Sequence, residues 1–195
     1  MEPILPAWTD SHAVLVPVKA FGEAKLRLAP ALSPGQRQRL ARTMATRVVR
    51  SAAGLPVAVV CDDTEVARWA RALGALVIWE PGRGLNGAVQ EGVSRLGLLG
   101  VEAVVVAAGD LPLATDLHWV TEFDGITLVP DRRRDGTNVI CVPVRAGFNF
   151  SYGPGSFSRH LAEAERVGAA VRVVHSSPLA WDVDLPEDLT AVVQR

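Results

Sequence analysis

The sequence has few cysteines and almost no net charge, and both absences exclude classes of protein. Its 195 residues contain two cysteines, Cys61 and Cys141, which are too few and too far apart for a disulfide framework or for a zinc site with paired ligands. The 20 Lys and Arg residues nearly balance the 21 Asp and Glu residues, so no global field would recruit nucleic acid or an anionic membrane surface. We expect reduced thiols, no nucleic-acid partner and a local site for any bound anion.

The chain also lacks a long apolar run. No segment reaches the ~20 residues of a membrane span, and the N-terminus has neither the basic start nor the apolar core of a signal peptide. These absences predict a cytoplasmic protein without a membrane partner. The length fits one domain, residues 1–195, in which residues 1–11 form a flexible N-terminal segment.

Lysine is scarce, and its position is informative. Of the 20 basic residues 18 are Arg, and the two lysines, Lys19 and Lys25, lie six residues apart. With Arg27 they place three cations within nine residues, directly after the first apolar run, where a polyphosphate site would be built. The alternative is ordinary solvated surface. Without a ligand, we expect the Lys25 and Arg27 side chains to be exposed.

Short apolar runs alternate with helical stretches along the chain. The runs are too short for helices and predict buried strands at Ala13–Val18, Val57–Cys61, Leu76–Trp79, Ala103–Ala108, Ile126–Val129, Val139–Pro143 and Ala170–Val174. Helices are predicted at 33–52, with a capping box at Ser33 and Gln36, at 64–73, at 85–96 and at 157–167. The alternation indicates an α/β fold with a mostly parallel sheet, helices on both faces, and ligands at the carboxyl ends of the strands.

Two nucleotide-binding motifs are absent. The Walker pattern GxxxxGK[ST] does not occur and no GxGxxG follows the first strand, which removes the main support for P-loop and Rossmann dinucleotide-binding proteins. The one charge run, at 131–136, is interpreted as a solvated turn.

Carboxylates in two places are candidates for binding a divalent ion. Asp110 follows the fourth apolar run, where a carboxylate can reach an ion that bridges phosphate oxygens; a turn or a helix cap is the alternative. Asp182 and Asp184 alternate along an extended segment, so both point to the same side and one of them can join Asp110 on a metal. Asp184 also fits a helix N-cap, because Pro186 and Glu187 follow it.

A glycine-rich segment, 152–156, leads into the last predicted helix. Ser156 is predicted as its N-cap, and backbone N–H groups around Gly153 and Ser156 would form an anion site at the helix start. His160 lies one turn later. An ordinary, partly buried His is favoured over a catalytic one, because no Ser/His/Asp or Cys/His pattern accompanies it.

Taken in order, these segments resemble one known family. They are Val16–Lys19 with Ala24–Leu28, Gly84–Asn86, Gly109–Pro112, Val129–Asp131 with Asp135–Asn138, Tyr152–His160 and Asp182–Leu189. Over roughly residues 12–192 the sequence is similar to the guanylyltransferases of coenzyme F420 biosynthesis known as CofC or FbiD.

The resemblance implies a fold, a reaction and a cofactor. The fold is a single-domain, Rossmann-like nucleotide-diphospho-sugar transferase fold, and the reaction joins GMP from GTP to a small phosphorylated carboxylic acid and releases pyrophosphate. The acceptor is generally phosphoenolpyruvate in the bacterial branch of the family and 2-phospho-L-lactate in the archaeal branch, with 3-phosphoglycerate as a further candidate. Mg²⁺ is the implied cofactor, and a downstream transferase of the same pathway is a suggested partner.

The resemblance and the residue chemistry together give a set of candidate site residues. Family positions for the acceptor match Thr137, Gly153 and Ser156, and those for magnesium match Asp110 best, with Asp182 and Asp184 as further ligands. The residues that would bind GTP are Lys19, Lys25 and Arg27 at the triphosphate and Leu85, Asn86 and Gly87 near base or ribose. Lys25, Arg27 and Asp110 are the predicted catalytic residues. Pro17 and Lys19 depart from the glycine-rich first loop of related nucleotidyltransferases, and no residue is assigned to the selection of guanine.

Besides another nucleotidyltransferase of the same fold, two other functions remain open at this point. A glycosyltransferase of similar fold would usually carry Asp-x-Asp at the metal-binding strand, but Ala108 stands two residues before Asp110, which counts against it. A non-catalytic nucleotide sensor would keep the cations, yet it needs neither an acceptor pocket nor metal-binding carboxylates. Pyrophosphate release from GTP with Mg²⁺ and a panel of phospho-acids separates these functions from guanylyl transfer.

Overall fold

The computed structural model describes residues 10–189, and within them the chain forms a seven-stranded sheet of order β3-β2-β1-β4-β6-β5-β7. The strands are β1 (His12–Pro17), β2 (Val57–Cys61), β3 (Leu76–Trp79), β4 (Ala103–Ala107), β5 (Ile126–Pro130), β6 (Thr137–Pro143) and β7 (Val171–Val173). The helices are α1 (Pro34–Arg50), α2 (Thr64–Ala72), α3 (Gly84–Leu98), α4 (Ser156–Arg166) and the short α5 (Ser177–Ala180).

The predicted strands and helices are confirmed, and each end either matches the prediction or differs from it by one or two residues. The capping box at the start of α1 is confirmed as well: Ser33 Oγ accepts from Gln36 N at 3.4 Å, and Ser33 N donates to Gln36 Oε1 at 2.8 Å. The predicted flexible segment, 1–11, falls largely on residues 1–9, which lie outside the described residues.

Strand β6 runs against the rest of the sheet. It pairs antiparallel with β4, where Val139 lies opposite Ala107, and with β5, where Thr137 lies opposite Pro130, whereas the other paired strands between residues 10 and 189 are parallel. The start of β6 therefore lies at the same edge of the sheet as the carboxyl ends of β4 and β5. This reversal places Thr137 at the edge where ligands are expected.

The sheet is covered on both faces, as its near-continuous apolar strands require. Successive side chains of β1 point to opposite faces, so Val14 and Val16 pack with α1 and α2, while Leu15 packs with α3 on the other face. Both apolar layers are buried. The loops that follow the strands are thereby held on a rigid frame.

Both cysteines lie in strands of the sheet, Cys61 at the end of β2 and Cys141 within β6. Cys61 and Cys141 are both free and buried. Burial raises the pKa of the Cys141 thiol to about 12, so this thiol stays protonated. None of the helices between residues 10 and 189 is long and apolar enough to cross a membrane.

Helix α3 approaches the sheet closely at a glycine. A Cβ atom added to Gly92 would lie 2.7 Å from Cδ2 and 3.1 Å from Cδ1 of Leu15, whose side chain is fully buried in β1. Only hydrogen fits between the helix backbone and this leucine. The close contact fixes the height of α3 above β1.

Replacing Gly92 by Ala is expected to destabilise the protein by about 1–3 kcal/mol, because the added methyl group overpacks a buried contact. Urea unfolding measures the change. Gly35→Ala is the matched control: Gly35 is also helical, a Cβ there would lie 3.6 Å from Arg39 Nη1, and alanine should stabilise the helix. A Gly92→Ala variant as stable as the wild type would contradict the close contact.

Candidate active site

A cleft of about 600 Å³ opens at the carboxyl ends of β1 and β4. Its lining includes predicted site residues from four separate segments of the chain: Lys19, Lys25, Arg27, Leu85, Asp110 and Asp184. The structure therefore brings together the cations after β1, the start of α3 and two of the three predicted metal-binding carboxylates.

Lys25 holds the centre of this cleft. Its Nζ donates to Asp110 Oδ2 at 2.5 Å and to Asp184 Oδ1 at 2.8 Å. Burial on its own would lower the pKa of Lys25, but the two carboxylates outweigh burial and raise the pKa, so the ammonium stays charged. The three groups form an ion triad that joins the loop after β1, the loop after β4 and the C-terminal segment.

The expectation that Lys25 is exposed is wrong. Its side chain is 10% exposed, because two tight turns bend the loop inward and Lys25 between them adopts a left-handed backbone, φ 58°. The buried side chains of Phe21 and Leu28 anchor these turns. Arg27 matches the expectation: its side chain is 74% exposed, and its guanidinium lies 3.9 Å from Asp184 Oδ2.

Asp182 lies deeper than Asp184. Its Oδ1 atom is buried and accepts no hydrogen bond from the part of the chain that the structure describes; Arg132 Nη1 is 3.9 Å away. Burial, together with the charges of Asp110 and Asp184, raises the pKa of Asp182 to about 6. A buried carboxylate oxygen without a hydrogen bond is costly unless a cation compensates it.

The carboxylates do not form a ready-made metal cage. Among residues 10–189, no three acidic, His or Cys side chains converge to hold an ion. The ammonium of Lys25 instead lies between Asp110 and Asp184 and compensates one of their two negative charges. A divalent ion that bound these carboxylates would have to take the place of this lysine.

The alternative role of Asp184 as a helix cap is wrong. Its carboxylate binds Lys25, and Asp188 satisfies the backbone instead: Asp188 Oδ2 accepts from Asp184 N and from Leu185 N, both at 2.8 Å. Asp188 is fully buried and its Oδ1 accepts from Arg132. Asp188 therefore positions the segment that carries both candidate metal ligands.

The charge run at 131–136 is only partly a solvated turn. Asp131 is buried, and its two oxygens accept from Asp135 N at 2.9 Å and from Gly136 N at 3.0 Å. Arg132 stacks on Trp181, with 4.3 Å between its Cζ and the ring centroid. The run thus ties the start of β6 to the C-terminal segment, a function that its charge pattern did not reveal.

The three predicted acceptor residues lie together in a second cluster. Thr137 N donates to Ser156 Oγ at 3.1 Å, and Ser156 N donates to the carbonyl of Gly153 at 3.0 Å. Gly153 needs its glycine backbone, φ 120°. None of the three lines the cleft described above.

The predicted anion site at the start of α4 needs correction. Gly155, in a left-handed conformation, is the N-cap, and Ser156 is the first helical residue, with its hydroxyl turned inward to Thr137. The N–H of Gly155 donates to Asp135 Oδ1 at 3.1 Å. With the N–H groups of Ser156 and Thr137 also bonded internally, these three backbone donors are not free for an anion.

His160 is fully buried rather than partly buried. Its Nδ1 lies 2.9 Å from Thr137 Oγ1, and its Nε2 accepts from Ser151 N at 3.0 Å. Burial and the charge of Arg159 lower the pKa of His160 to about 4, so the ring is neutral. Sequence reasoning could not identify this contact, because Thr137 is 23 residues away and shares no motif with it.

Asn86 connects the two clusters. Its Oδ1 accepts from Tyr152 N at 2.6 Å, and its Nδ2 donates to the carbonyl of Tyr152 at 3.4 Å. Of the three residues predicted near the base or ribose, Leu85 lines the cleft, while Asn86 and Gly87 do not. The Asn86 side chain fixes the loop before α4 to the first turn of α3.

Solved structures show the same fold at low sequence identity. A chain from Desulfovibrio desulfuricans assigned as a nucleotide-diphospho-sugar transferase superposes with a TM-score of 0.76 at 15% identity, covering 95% of this chain and 87% of the other. A CMP:2-keto-3-deoxy-manno-octonic acid synthetase in complex with CTP gives a TM-score of 0.58 at 13% identity, covering 94% and 97%. The predicted fold class is confirmed.

Sequence relatives are closer. A protein of Rubrobacter xylanophilus named phosphoenolpyruvate guanylyltransferase is 40% identical over 184 residues, covering 90% of each chain. A protein of Methanocaldococcus infernus named 2-phospho-L-lactate guanylyltransferase is 28% identical over 181 residues, covering 90% of this chain and 81% of the relative. Residues 12–194 match the family model described as guanylyl transferase, CofC like. The chain belongs to the CofC-like family of guanylyl transferases.

Proposed function

We propose that the protein transfers GMP from GTP to the phosphate group of phosphoenolpyruvate, releases pyrophosphate, and acts in coenzyme F420 biosynthesis. One observation supports this most: the Lys25 ammonium lies between Asp110 and Asp184 in a cleft that also receives Lys19 and Arg27. Such a cleft offers positive charge for a triphosphate and carboxylates for its metal. Similarity to the Rubrobacter protein favours phosphoenolpyruvate over 2-phospho-L-lactate as acceptor.

The reaction needs positioning and charge neutralisation rather than a nucleophilic side chain. An oxygen of the acceptor phosphate attacks the α-phosphorus of GTP, the bond to the β-phosphate oxygen breaks, and pyrophosphate leaves in line. Lys19, Lys25 and Arg27 would neutralise the charge that develops on the leaving pyrophosphate. No proton has to move, because the attacking and leaving oxygens are both anionic.

The relative positions of the two clusters support one arrangement of the two substrates. Asp110 follows β4, and the acceptor cluster begins at Thr137 on the neighbouring β6. A nucleotide whose phosphates face Lys25 and Asp110 would therefore have the acceptor cluster on its β6 side. Leu85, which lines the cleft from the start of α3, would face the nucleotide.

Magnesium fits the donor set of this site. Asp110, Asp182 and Asp184 would hold it, and the buried Asp182 Oδ1, which lacks a hydrogen bond from the described residues, supports a cation there. The ion would neutralise phosphate charge during the transfer. Lys25 would be released from the carboxylates to contact phosphate oxygens.

The direct test is a substrate panel. The purified protein, GTP and MgCl₂ are combined with phosphoenolpyruvate, 2-phospho-L-lactate or 3-phosphoglycerate, and pyrophosphate and product mass are measured. We expect the highest turnover with phosphoenolpyruvate and a product mass equal to the acid plus GMP less one water. Absence of pyrophosphate with every acid would contradict guanylyl transfer and favour a nucleotide sensor. A sugar phosphate is included as a further acceptor, and turnover with it alone would favour another transferase of this fold.

Lys25→Met is expected to lower kcat on the order of 10²-fold, because it removes a cation from the triphosphate site while keeping the length of the side chain. It should also lower the Tm without Mg²⁺, since Asp110 and Asp184 lose the charge between them. Arg27→Met is the matched control: its exposed side chain should affect kcat but leave the Tm unchanged. Full activity in both variants would contradict the phosphate-binding role.

Asp182→Asn is expected to have opposite effects on stability and activity. At a pH well above about 6, the wild-type carboxylate is ionised although its environment disfavours the charge, so the neutral amide should raise the Tm. Turnover should fall at least on the order of 10²-fold, and Mg²⁺ should no longer raise the Tm. Asp124→Asn, an exposed carboxylate before β5 at the opposite edge of the sheet, is the control and should change neither property. Unchanged magnesium dependence in Asp182→Asn would remove Asp182 from the metal site.

A further inference from the structure

His160 is a buried polar residue to which the transfer chemistry assigns no step. It lies on α4 with its ring against Tyr152, Phe148 and Phe150, at centroid distances of 4.9, 5.7 and 6.3 Å. This aromatic frame holds the ring in one orientation. Its two nitrogens then face two different partners, Thr137 and Ser151.

The backbone decides which nitrogen of His160 carries the proton. Ser151 N is an amide N–H and can only donate, so Nε2 at 3.0 Å must present its lone pair. The ring is neutral and has one proton, which is therefore on Nδ1. Nδ1–H donates to Thr137 Oγ1 at 2.9 Å.

This assignment determines the direction of the Thr137 hydroxyl. Because Oγ1 accepts from His160, its own proton has to point elsewhere. Within residues 10–189, Oγ1 has no hydrogen-bond partner other than His160, and the Thr137 N–H already donates to Ser156 Oγ. The hydroxyl proton is thus the one donor of Thr137 that remains for a ligand.

We propose that His160 is a positioning residue of the acceptor subsite, which holds the Thr137 hydroxyl so that it donates to the carboxylate of the acceptor. The inference rests on the proposed function. The acceptor's phosphate has to face the nucleotide, where the new bond forms, so its carboxylate end is the one that reaches toward Thr137. A hydroxyl fixed in this direction before binding loses less rotational freedom when the acceptor arrives.

The first experiment reads the tautomer in the unmodified protein. Nitrogen-15 spectra of the four histidine side chains distinguish a protonated from an unprotonated ring nitrogen, and the His160 signals are assigned by their loss in His160→Gln. We expect Nδ1 protonated and Nε2 unprotonated. A proton on Nε2 would overturn the inference.

The second experiment compares two substitutions of His160 by an amide side chain, each of which replaces one of the two ring nitrogens. His160→Asn keeps an N–H near the position of Nδ1, whereas His160→Gln keeps an amide near Nε2, where it can accept from Ser151. We expect the KM for phosphoenolpyruvate to rise on the order of 10-fold in His160→Gln and to stay within about threefold of the wild type in His160→Asn, with the Kd of GTP unchanged in both. The Tm should fall more in His160→Asn, because Ser151 N loses its acceptor.

A purely structural role predicts the opposite order, in which the less stable variant binds the acceptor less well. An equal or larger rise of KM in His160→Asn would therefore overturn the inference. If His160→Gln does not fold, the tautomer measurement on the wild type, with signals assigned by His160→Asn, decides alone.

Thr137 variants separate failure of this inference from failure of the proposed function. Thr137→Val removes the hydroxyl and should raise the KM for phosphoenolpyruvate. Thr137→Ser keeps a hydroxyl, and its KM should stay near that of the wild type. Adding His160→Gln to Thr137→Val should have no further effect on the KM. If Thr137→Val leaves the KM unchanged, the acceptor does not bind there and the placement of the substrates is wrong. If Thr137→Val raises the KM but His160→Gln does not, the inference about His160 alone fails.

Discussion

The arrangement of the cleft depends on one ammonium that lies between two carboxylates. Asp110 and Asp184 come from distant parts of the chain, and neither could approach the other without the Lys25 ammonium between them. The turns around Phe21 and Leu28 position that ammonium. The buried Asp188 positions Asp184, because one of its oxygens accepts from Asp184 N and the other from Arg132. The sheet supplies the frame, and this ion triad joins the three segments that the frame leaves as loops.

In the proposed function, the ion triad would have to open for a more highly charged ligand. A triphosphate and a divalent ion would bring charges of both signs, so each partner of the triad could exchange its present contact for a new one. Asp182 Oδ1 accepts no hydrogen bond from the described residues, Arg132 Nη1 lies 3.9 Å from it, and burial raises the pKa of Asp182. The free protein thus stores an unfavourable carboxylate that a cation would stabilise.

Much of this architecture could be predicted from sequence, because apolar runs and caps are local signals. The strands, the helices and the Ser33 capping box follow from residues within one turn or one strand. The direction of β6 could not be predicted in this way, because an apolar run has the same pattern in a parallel and in an antiparallel strand. Three further features also depend on tertiary contacts that no local pattern shows. These are the burial of Lys25, the capping of the backbone by Asp188 instead of Asp184, and the contact of His160 with Thr137. The resemblance of the motifs to a family located these residues, but only the structure shows what each of them touches.

The two clusters differ in how much of the chain has to fold before they exist. His160 meets Thr137 across 23 residues, on a hairpin and helix that follow each other directly. Lys25 meets Asp110 across 85 residues and Asp184 across 159. Contacts of large sequence separation require more of the chain to be ordered and tend to form later. The cluster around Thr137 and His160 can therefore assemble as a local unit during folding. The ion triad closes only when the last segment has docked, so the cleft is complete only when the fold is complete.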